Sequence, residues 1–258
     1  MNKFIVFITI FFTGLLSAQI SESRKVGSFS KLKVSQSIEV LYTISDKISV
    51  KVETDDAAKM QTIKTEVEGE TLQLFVDTRN YAPQGKKRKN KYNDIRFTVL
   101  KITISGPDLS EIKASSAGVV NILNLNTSEY LNIGVSSSGA VKGNFVCNNT
   151  TIVASSSGTF RGEMTAKNTS IEASSSGTIV LKGSATHLDC KASSSGNCHL
   201  KDFQVENATV SSSSSATVAV YVSKALTAKA SSSADITYYG NPVNVIKEAS
   251  SSGSVSRK

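Results

Sequence analysis

The sequence predicts an all-β fold in which the chain winds into a parallel β-helix, or β-solenoid, with coils of about 19 residues. Three observations support this prediction. A serine-rich phrase of five residues recurs at nearly constant spacing, apolar residues alternate around each copy, and the chain is rich in serine, threonine, valine, isoleucine and alanine. Such a composition suits many short strands better than helices.

The phrase occurs eight times in the C-terminal half of the chain. Successive copies end 21, 19, 19, 19, 20, 18 and 19 residues apart. Spacing this regular is typical of a repeat architecture and not of a serine-rich linker. The copies cover residues 114–118, 135–139, 154–158, 173–177, 192–196, 212–216, 230–234 and 249–253.

Apolar residues hold fixed positions on both sides of the phrase. An apolar residue stands two positions after every copy, from Val120 to Val255, and two positions before every copy except the last, where Lys247 stands. This period of two indicates a strand with one buried face. Because the strand recurs in one orientation, the pattern predicts parallel stacking of equivalent coils and not a hairpin meander.

The same alternation assigns the middle serine of each phrase to the interior. A buried hydroxyl without a partner costs on the order of 1–3 kcal/mol, so we expect a hydrogen-bonded ladder of serines. The closing glycine is replaced by Ala216 and Ala234, which indicates a need for a small residue and not for a positive φ angle. The predicted inward serines are Ser116, Ser137, Ser156, Ser175, Ser194, Ser214, Ser232 and Ser251.

Residues 26–110 predict irregular N-terminal coils that precede the regular repeats over 111–258. A short helix is predicted over 55–65, with Asp55 or Asp56 near its cap. The predicted strands cover 32–34, 38–43, 48–53, 71–76 and 95–105.

Several segments together resemble the family described as the head GIN domain of putative auto-transporter adhesins. The segments are 26–34, 38–40, 48–52, 71–74 and 107–112, together with the serine and glycine repeats. The resemblance covers nearly all of the chain after residue 19. It implies a right-handed, single-stranded β-helix to which the N-terminal segment adds coils. It implies no established activity, so adhesion enters as a hypothesis.

Residues 1–18 have the order of parts found in a secretory signal peptide. Lys3 precedes an apolar run over 4–16, and Ser17-Ala18 stands before Gln19. The run is shorter than the roughly 20 apolar residues of a membrane-spanning helix, and nothing after it could span a membrane as a helix. We therefore expect cleavage before Gln19, one solenoid domain over 19–258, and a final place in the periplasm, at the outer membrane or outside the cell.

The net charge of +8 is concentrated in one segment. A run of like charge is typical of a solvated loop, and its functional alternative is an electrostatic contact with acidic polysaccharide or lipid head groups. Nucleic acid is not expected as the partner of an exported protein. The candidate electrostatic binding loop consists of Lys86, Lys87, Arg88, Lys89 and Lys91.

Three cysteines, Cys147, Cys190 and Cys198, make an odd count. Cys190 and Cys198 fall in inward columns, whereas His187 and His199 have the opposite parity, so no metal site is expected. Eight extended residues span up to about 26 Å, against roughly 7 Å between the Cα atoms of a disulfide, so a disulfide between Cys190 and Cys198 is not expected either.

Catalysis by a polysaccharide-acting β-helix would require carboxylates gathered on one outer wall. The candidate carboxylates fall at differing phases of the repeat instead, and they are Glu163, Glu172, Asp189, Asp202 and Asp235. The sequence therefore favours a non-catalytic surface module without a cofactor, which binds a cell-surface or envelope glycan or protein. A polysaccharide-acting enzyme and a purely structural envelope protein are the alternatives.

Overall fold

The computed structural model describes residues 20–79 and 95–258. They form a single 17-stranded sheet that coils into a solenoid of about eight turns, with one short helix. The prediction of a β-solenoid is confirmed. In the N-terminal part the strands are β1 (Ile20–Arg24), β2 (Lys31–Val34), β3 (Glu39–Ile44), β4 (Ser49–Thr54), β5 (Ile63–Glu68), β6 (Thr71–Val76), β7 (Leu100–Gly106) and β8 (Glu111–Ala114).

The C-terminal part consists of long strands that each make most of one coil. Neighbouring strands pair in parallel, and β10 pairs with β11, and β11 with β12, at an offset of 19 residues, as in the row of Val141, Phe160 and Ile179. The strands are β9 (Val119–Val135), β10 (Ala140–Ala154), β11 (Thr159–Ala173), β12 (Thr178–Ala192), β13 (Asn197–Ser212), β14 (Thr217–Ala230), β15 (Asp235–Tyr239), β16 (Asn244–Ala249) and β17 (Ser254–Arg257).

The core follows the two apolar columns that flank the phrase. Phe160 and Ile171 on the two halves of one coil are buried, as are the equivalent residues of the coils stacked on it. Phe160 also packs against Phe145, with 6.0 Å between ring centroids. Each coil is too thin to bury its apolar residues alone, so stacking of neighbours creates the core.

The serine phrase is a tight turn and not a continuation of the strand. In the phrase at 154–158, Ser156 and Ser157 have φ angles of 48° and 62°, and the Gly158 N–H donates to the carbonyl oxygen of Ser155 at 2.8 Å. Two central residues at positive φ are the feature of type I′ turns. The prediction of an inward middle serine is therefore wrong, because the turn breaks the period of two.

The two central residues of every phrase are exposed, so the predicted interior ladder of serine hydroxyls does not form. The coils are joined at the turn through the backbone instead. The Ser157 N–H donates to the carbonyl oxygen of Ser175 in the next coil at 3.1 Å, and the pattern repeats along the axis. The misassigned serines are Ser116, Ser137, Ser156, Ser175, Ser194, Ser214, Ser232 and Ser251.

The closing glycine lies against the preceding coil. Its φ angle is not positive in any copy, as the sequence indicates, and its environment explains the need for a small residue. Where Ala216 and Ala234 replace it, the turn hydrogen bond lengthens from 2.8 to 3.2 Å. The corner thus opens slightly to admit a methyl group.

The N-terminal coils follow a different order along the axis. β2 and β3 form a coil that lies between the coil of β6 and β7 and the coil of β8 and β9. β4 runs antiparallel to β7, and β1 to β4, while β5 runs antiparallel to β6. Antiparallel strands and a helix therefore cover this end of the solenoid.

The predicted helix over 55–65 is shorter than expected. The helix α1 covers Ala57–Met60, and the Asp56 side chain caps it by accepting a hydrogen bond from the Ala58 N–H. Strand β5 begins at Ile63 inside the predicted helix, because Ile63 is buried and pairs with Val76. Tertiary pairing thus ends the helix after one turn.

The last coil leaves part of the core accessible. All residues of β16 are exposed, and Val243 is 86% exposed. Lys247 occupies the inward column in this coil, and its Nζ atom lies 4.6 Å from the ring centroid of Tyr238. A charged residue that points inward on an edge strand is a common protection against edge-to-edge association.

The predicted signal peptide over 1–18 and the candidate loop from Lys86 to Lys91 both lie outside the described residues. Within residues 20–79 and 95–258, no helix is long and apolar enough to cross a membrane.

Candidate ligand-binding grooves

A polar groove runs along the axis on the outer surface of β9 to β14 and encloses a volume of about 630 Å³. Two outward columns of side chains line it. The first column contains Tyr130, Asn149, Asn168, His187, Asn207 and Ala225, and the second contains Asn132, Thr151, Ser170, Asp189, Thr209 and Thr227.

The first column stands where each strand bends between the two halves of its coil. In β10 the inward positions change from odd to even residues between Cys147 and Thr150, so Asn149 lies at the bend. Side chains at this bend stack from coil to coil, and the Asn168 Nδ2 atom donates a hydrogen bond to the Asn149 Oδ1 atom at 2.9 Å. This bond orients both amides along the groove.

The floor of the polar groove also contains hydroxyl groups. Thr150 and Thr169 are buried, and the Thr150 Oγ1 atom donates to the carbonyl oxygen of Leu131 at 3.0 Å. The Thr169 Oγ1 atom has no hydrogen-bond partner among the described residues. A buried hydroxyl that is left unpaired is costly, so this position favours a further polar group nearby.

The groove is predominantly neutral. Asp189 is the one carboxylate among its lining residues, and amides and hydroxyls fill most other positions. Tyr130 is 64% exposed and offers an aromatic face at the groove. Amides and hydroxyls both donate and accept hydrogen bonds, and an exposed ring packs against apolar faces, which together suits a polyhydroxylated ligand.

A second groove lies on the other half of the coils and encloses about 590 Å³. It differs from the polar groove because cations and aliphatic side chains line it together. We call it the basic groove, and its main residues are Leu41, Ile122, Leu123, Lys142, Arg161, Glu163, Val180 and Lys182.

A β-bulge shapes one side of the basic groove. Asn121 pairs with Lys142 and Leu125 pairs with Asn144, so three residues of β9 face the single residue Gly143 of β10. The two extra residues push side chains outward, and Leu123 and Leu125 are 57% and 51% exposed. The bulge accounts for the interval of 21 residues between the first two phrases.

The candidate loop of Lys86, Lys87, Arg88, Lys89 and Lys91 cannot be placed relative to either groove, because it lies outside the described residues. Neither groove is among the sites predicted from the sequence. Asparagines recur at 149, 168 and 207, and the interval of 21 residues marks the bulge, so alignment of every column would have indicated both sites.

The predicted parity of the histidines and cysteines is confirmed. Cys190 and Cys198 are buried, whereas His187 and His199 are exposed on the outside of the wall. The turn at 193–196 shortens the separation that eight extended residues would give and brings the two thiols close together. A hydrogen bond with the Cys198 thiol, together with burial, raises the pKa of Cys190 well above its ordinary value, and both cysteines are free thiols.

The candidate carboxylates do not gather in one place. Asp189 lines the polar groove and Glu163 the basic groove, while Glu172 lies in a third groove on the wall beside the serine turns. A glycosidase-type mechanism uses two carboxyl groups on either side of one bond. Neither the polar nor the basic groove brings together two of the five candidates.

A family model described as "Putative auto-transporter adhesin, head GIN domain" matches residues 28–242, well over half of the chain. None of the curated proteins matches the sequence significantly.

Solved structures of similar fold include three from two species of Parabacteroides. A putative lipid binding protein from Parabacteroides distasonis is 25% identical, with a TM-score of 0.83 and coverage of 93% of this chain and 96% of that one. A putative adhesin from Parabacteroides merdae is 17% identical, with a TM-score of 0.79 and coverage of 93% and 96%. Another from Parabacteroides distasonis is 19% identical, with a TM-score of 0.78 and coverage of 93% and 97%.

Proposed function

The chain belongs to the family described as putative auto-transporter adhesin, head GIN domain, and from this premise we propose that it is an exported, non-catalytic binding module whose polar groove holds an extended neutral glycan of a cell surface or envelope. The sequence of residues 1–18 supports export. The family description supports an adhesive role, and the chemistry of the groove supports the ligand class.

The observation that carries the proposal is the pair of parallel polar columns. Each coil contributes one residue to each column, so donors and acceptors recur at the strand spacing of about 4.8 Å along the groove. A polymer with a short chemical repeat can meet this array at several coils at once. Weak contacts that are repeated in this way add up to useful affinity.

A lipid is a second candidate ligand, because a relative at 25% identity is described as a putative lipid binding protein. The aliphatic side chains of the basic groove are the surface that supports this alternative. The loop from Lys86 to Lys91 remains a sequence-based proposal for electrostatic contact with acidic polymers. Its contribution is expected to weaken with added salt.

The glycan proposal is tested with the purified chain from Gln19 to Lys258 on an array of neutral and acidic polysaccharides, followed by calorimetry on any ligand found. Tyr130→Ala removes the exposed ring and should weaken binding of a neutral glycan about tenfold. Asn168→Ala removes one amide of the first column and should weaken binding of the glycan about fivefold.

Asn144→Ala is the matched control, because Asn144 is an exposed asparagine on the other half of the coil. It should leave glycan affinity unchanged. The proposal would be contradicted if the chain bound no neutral glycan, or if Tyr130→Ala and Asn168→Ala bound the glycan as tightly as the parent does. Shortening of the polymer during incubation would instead support the enzymatic alternative.

A further inference from the structure

We propose that the basic groove and the leucines beside it form a docking site for the anionic surface of a lipid bilayer. This inference is independent of the glycan proposal, since it concerns a different groove on the other half of the coils. Three features of the described residues support it: cations without carboxylate partners, exposed leucines beside them, and a bulge that holds the two groups together.

Two of the three cations of the basic groove are stacked by the register of the strands, since Lys142 of β10 pairs with Arg161 of β11. Lys182 of β12 lies in a neighbouring row, between Glu163 of β11 and Asp202 of β13. Within the described part of the chain, none of the three cations forms an ion pair or a side-chain hydrogen bond. With Glu163 as the one carboxylate among its lining residues, the groove carries a net positive charge.

The aliphatic part of the site is unusual for a surface. Leu123, Leu125 and Val146 are 57%, 51% and 37% exposed, and they lie near one another because Leu125 pairs with Asn144, two residues before Val146. Large apolar residues that cluster on a surface mark sites of interaction. The bulge in β9 forces this exposure, since it displaces Leu123 away from the core.

Cations and exposed leucines on one face are the combination that binds the interface of an anionic membrane. The leucines would enter the boundary between head groups and acyl chains, and the ammonium and guanidinium groups would contact lipid phosphates. A soluble acidic polymer would use the cations but would leave the leucines exposed to water. The bilayer is therefore the partner that satisfies both halves of the site.

The test is flotation of the purified chain from Gln19 to Lys258 with vesicles of phosphatidylcholine alone or mixed with phosphatidylglycerol. We expect binding to the anionic vesicles only, and a decrease as salt is added. Arg161→Gln should lower the partition coefficient about fivefold, and Leu123→Ser should lower it about tenfold. Leu123 and Arg161 are exposed, so both variants should keep the melting temperature of the parent.

Lys191→Gln is the matched control, because it removes one positive charge from an exposed position on the other wall, and it should bind as the parent does. A second comparison replaces Lys86, Lys87, Arg88, Lys89 and Lys91 with serine. The proposal is overturned if the chain binds neither vesicle, if it binds both equally, or if the loop variant loses binding while Arg161→Gln and Leu123→Ser retain it. Binding to short-chain phosphatidylglycerol monomers without binding to vesicles would also overturn it.

Discussion

A Cβ atom placed on Gly158 would lie 2.5 Å from the carbonyl oxygen of Val135 in the preceding coil. Backbone atoms cannot move aside independently, so the turn must open slightly to admit a side chain. Ala216 and Ala234 show how this happens, since their turn hydrogen bonds are longer by 0.4 Å, from 2.8 to 3.2 Å.

Gly158→Ala is expected to lower the free energy of unfolding by about 1–2 kcal/mol, and Gly158→Val by clearly more, because branching adds bulk against the backbone of the neighbouring coil. Urea unfolding followed by circular dichroism measures both. Ala216→Gly is the matched control and should change stability by less than about 1 kcal/mol. Equal losses for the alanine and valine variants would show that steric bulk is not the cause.

Phe160→Ala is expected to cost about 3–5 kcal/mol, since the ring is fully buried and packs on Phe145. The neighbouring Arg161→Ala should stay within about 0.5 kcal/mol, because Arg161 points outward. Thermal unfolding of the two variants beside the parent measures the difference. Similar melting temperatures for the two variants would mean that the assignment of inward and outward positions is wrong.

Ser156→Gly is expected to be neutral or to raise stability by up to about 1 kcal/mol, because Ser156 has a φ angle of 48° and is exposed. Ser156→Val should be destabilising, since a β-branched residue is strained at positive φ. The measurement is the melting temperature. A stable valine variant and a destabilised glycine variant would be the result expected of a buried serine in a strand, and would contradict the turn.

The decrease in the free energy of unfolding at acidic pH should depend on Asp55. Partial burial opposes ionisation of this carboxyl, but hydrogen bonds from Lys59 and from the Thr98 N–H outweigh it and lower the pKa of Asp55 to about 2. A lowered folded-state pKa gives stability that is present above the unfolded value near 4 and is lost as the pH falls toward 2.

Lys59→Gln removes the ammonium that helps to hold Asp55 ionised, so the pKa of Asp55 in the folded protein should move up toward its unfolded value. The loss of stability on acidification should therefore be smaller in this variant and should end at higher pH. Asp55→Asn should flatten the same part of the profile, because the group no longer titrates. Urea unfolding at intervals between pH 2 and pH 6 measures both profiles. Profiles of the same shape in the parent and Asp55→Asn would remove this carboxyl from the explanation.

The sequence predicts the architecture well because stacking of equal coils requires apolar residues at a regular spacing. The columns that contain Val120, Val141 and Phe160 are buried as expected. The turn at the serine phrase could not be predicted in the same way, since glycine and asparagine are the usual residues at positive φ and serine carries no such signal. The same turn appears at Gln36 and Ser37, with φ angles of 59° for both, although residues 34–38 lack the full phrase.

The binding surfaces were harder to predict than the core. A ligand groove depends on columns of outward residues. The first column contains residues as different as Asn149, His187 and Ala225, because none of them is required for packing. Departures from the regular spacing were more informative than the spacing itself. The bulge at Leu123 appears in the sequence only as two additional residues between two phrases.

The hydrogen bonds from Ser157 to Ser175, and from each coil to the next, are parallel to the solenoid axis. Tension applied along that axis would therefore load successive layers in series, and a coil that is bonded to a neighbour on one side only would peel away first. In the described chain β16 and β17 pair on one side only, with β14 and β15, so mechanical unwinding would begin at that coil. A pull across the axis would instead be shared by all the bonds of a coil, and the molecule would hold best against shear.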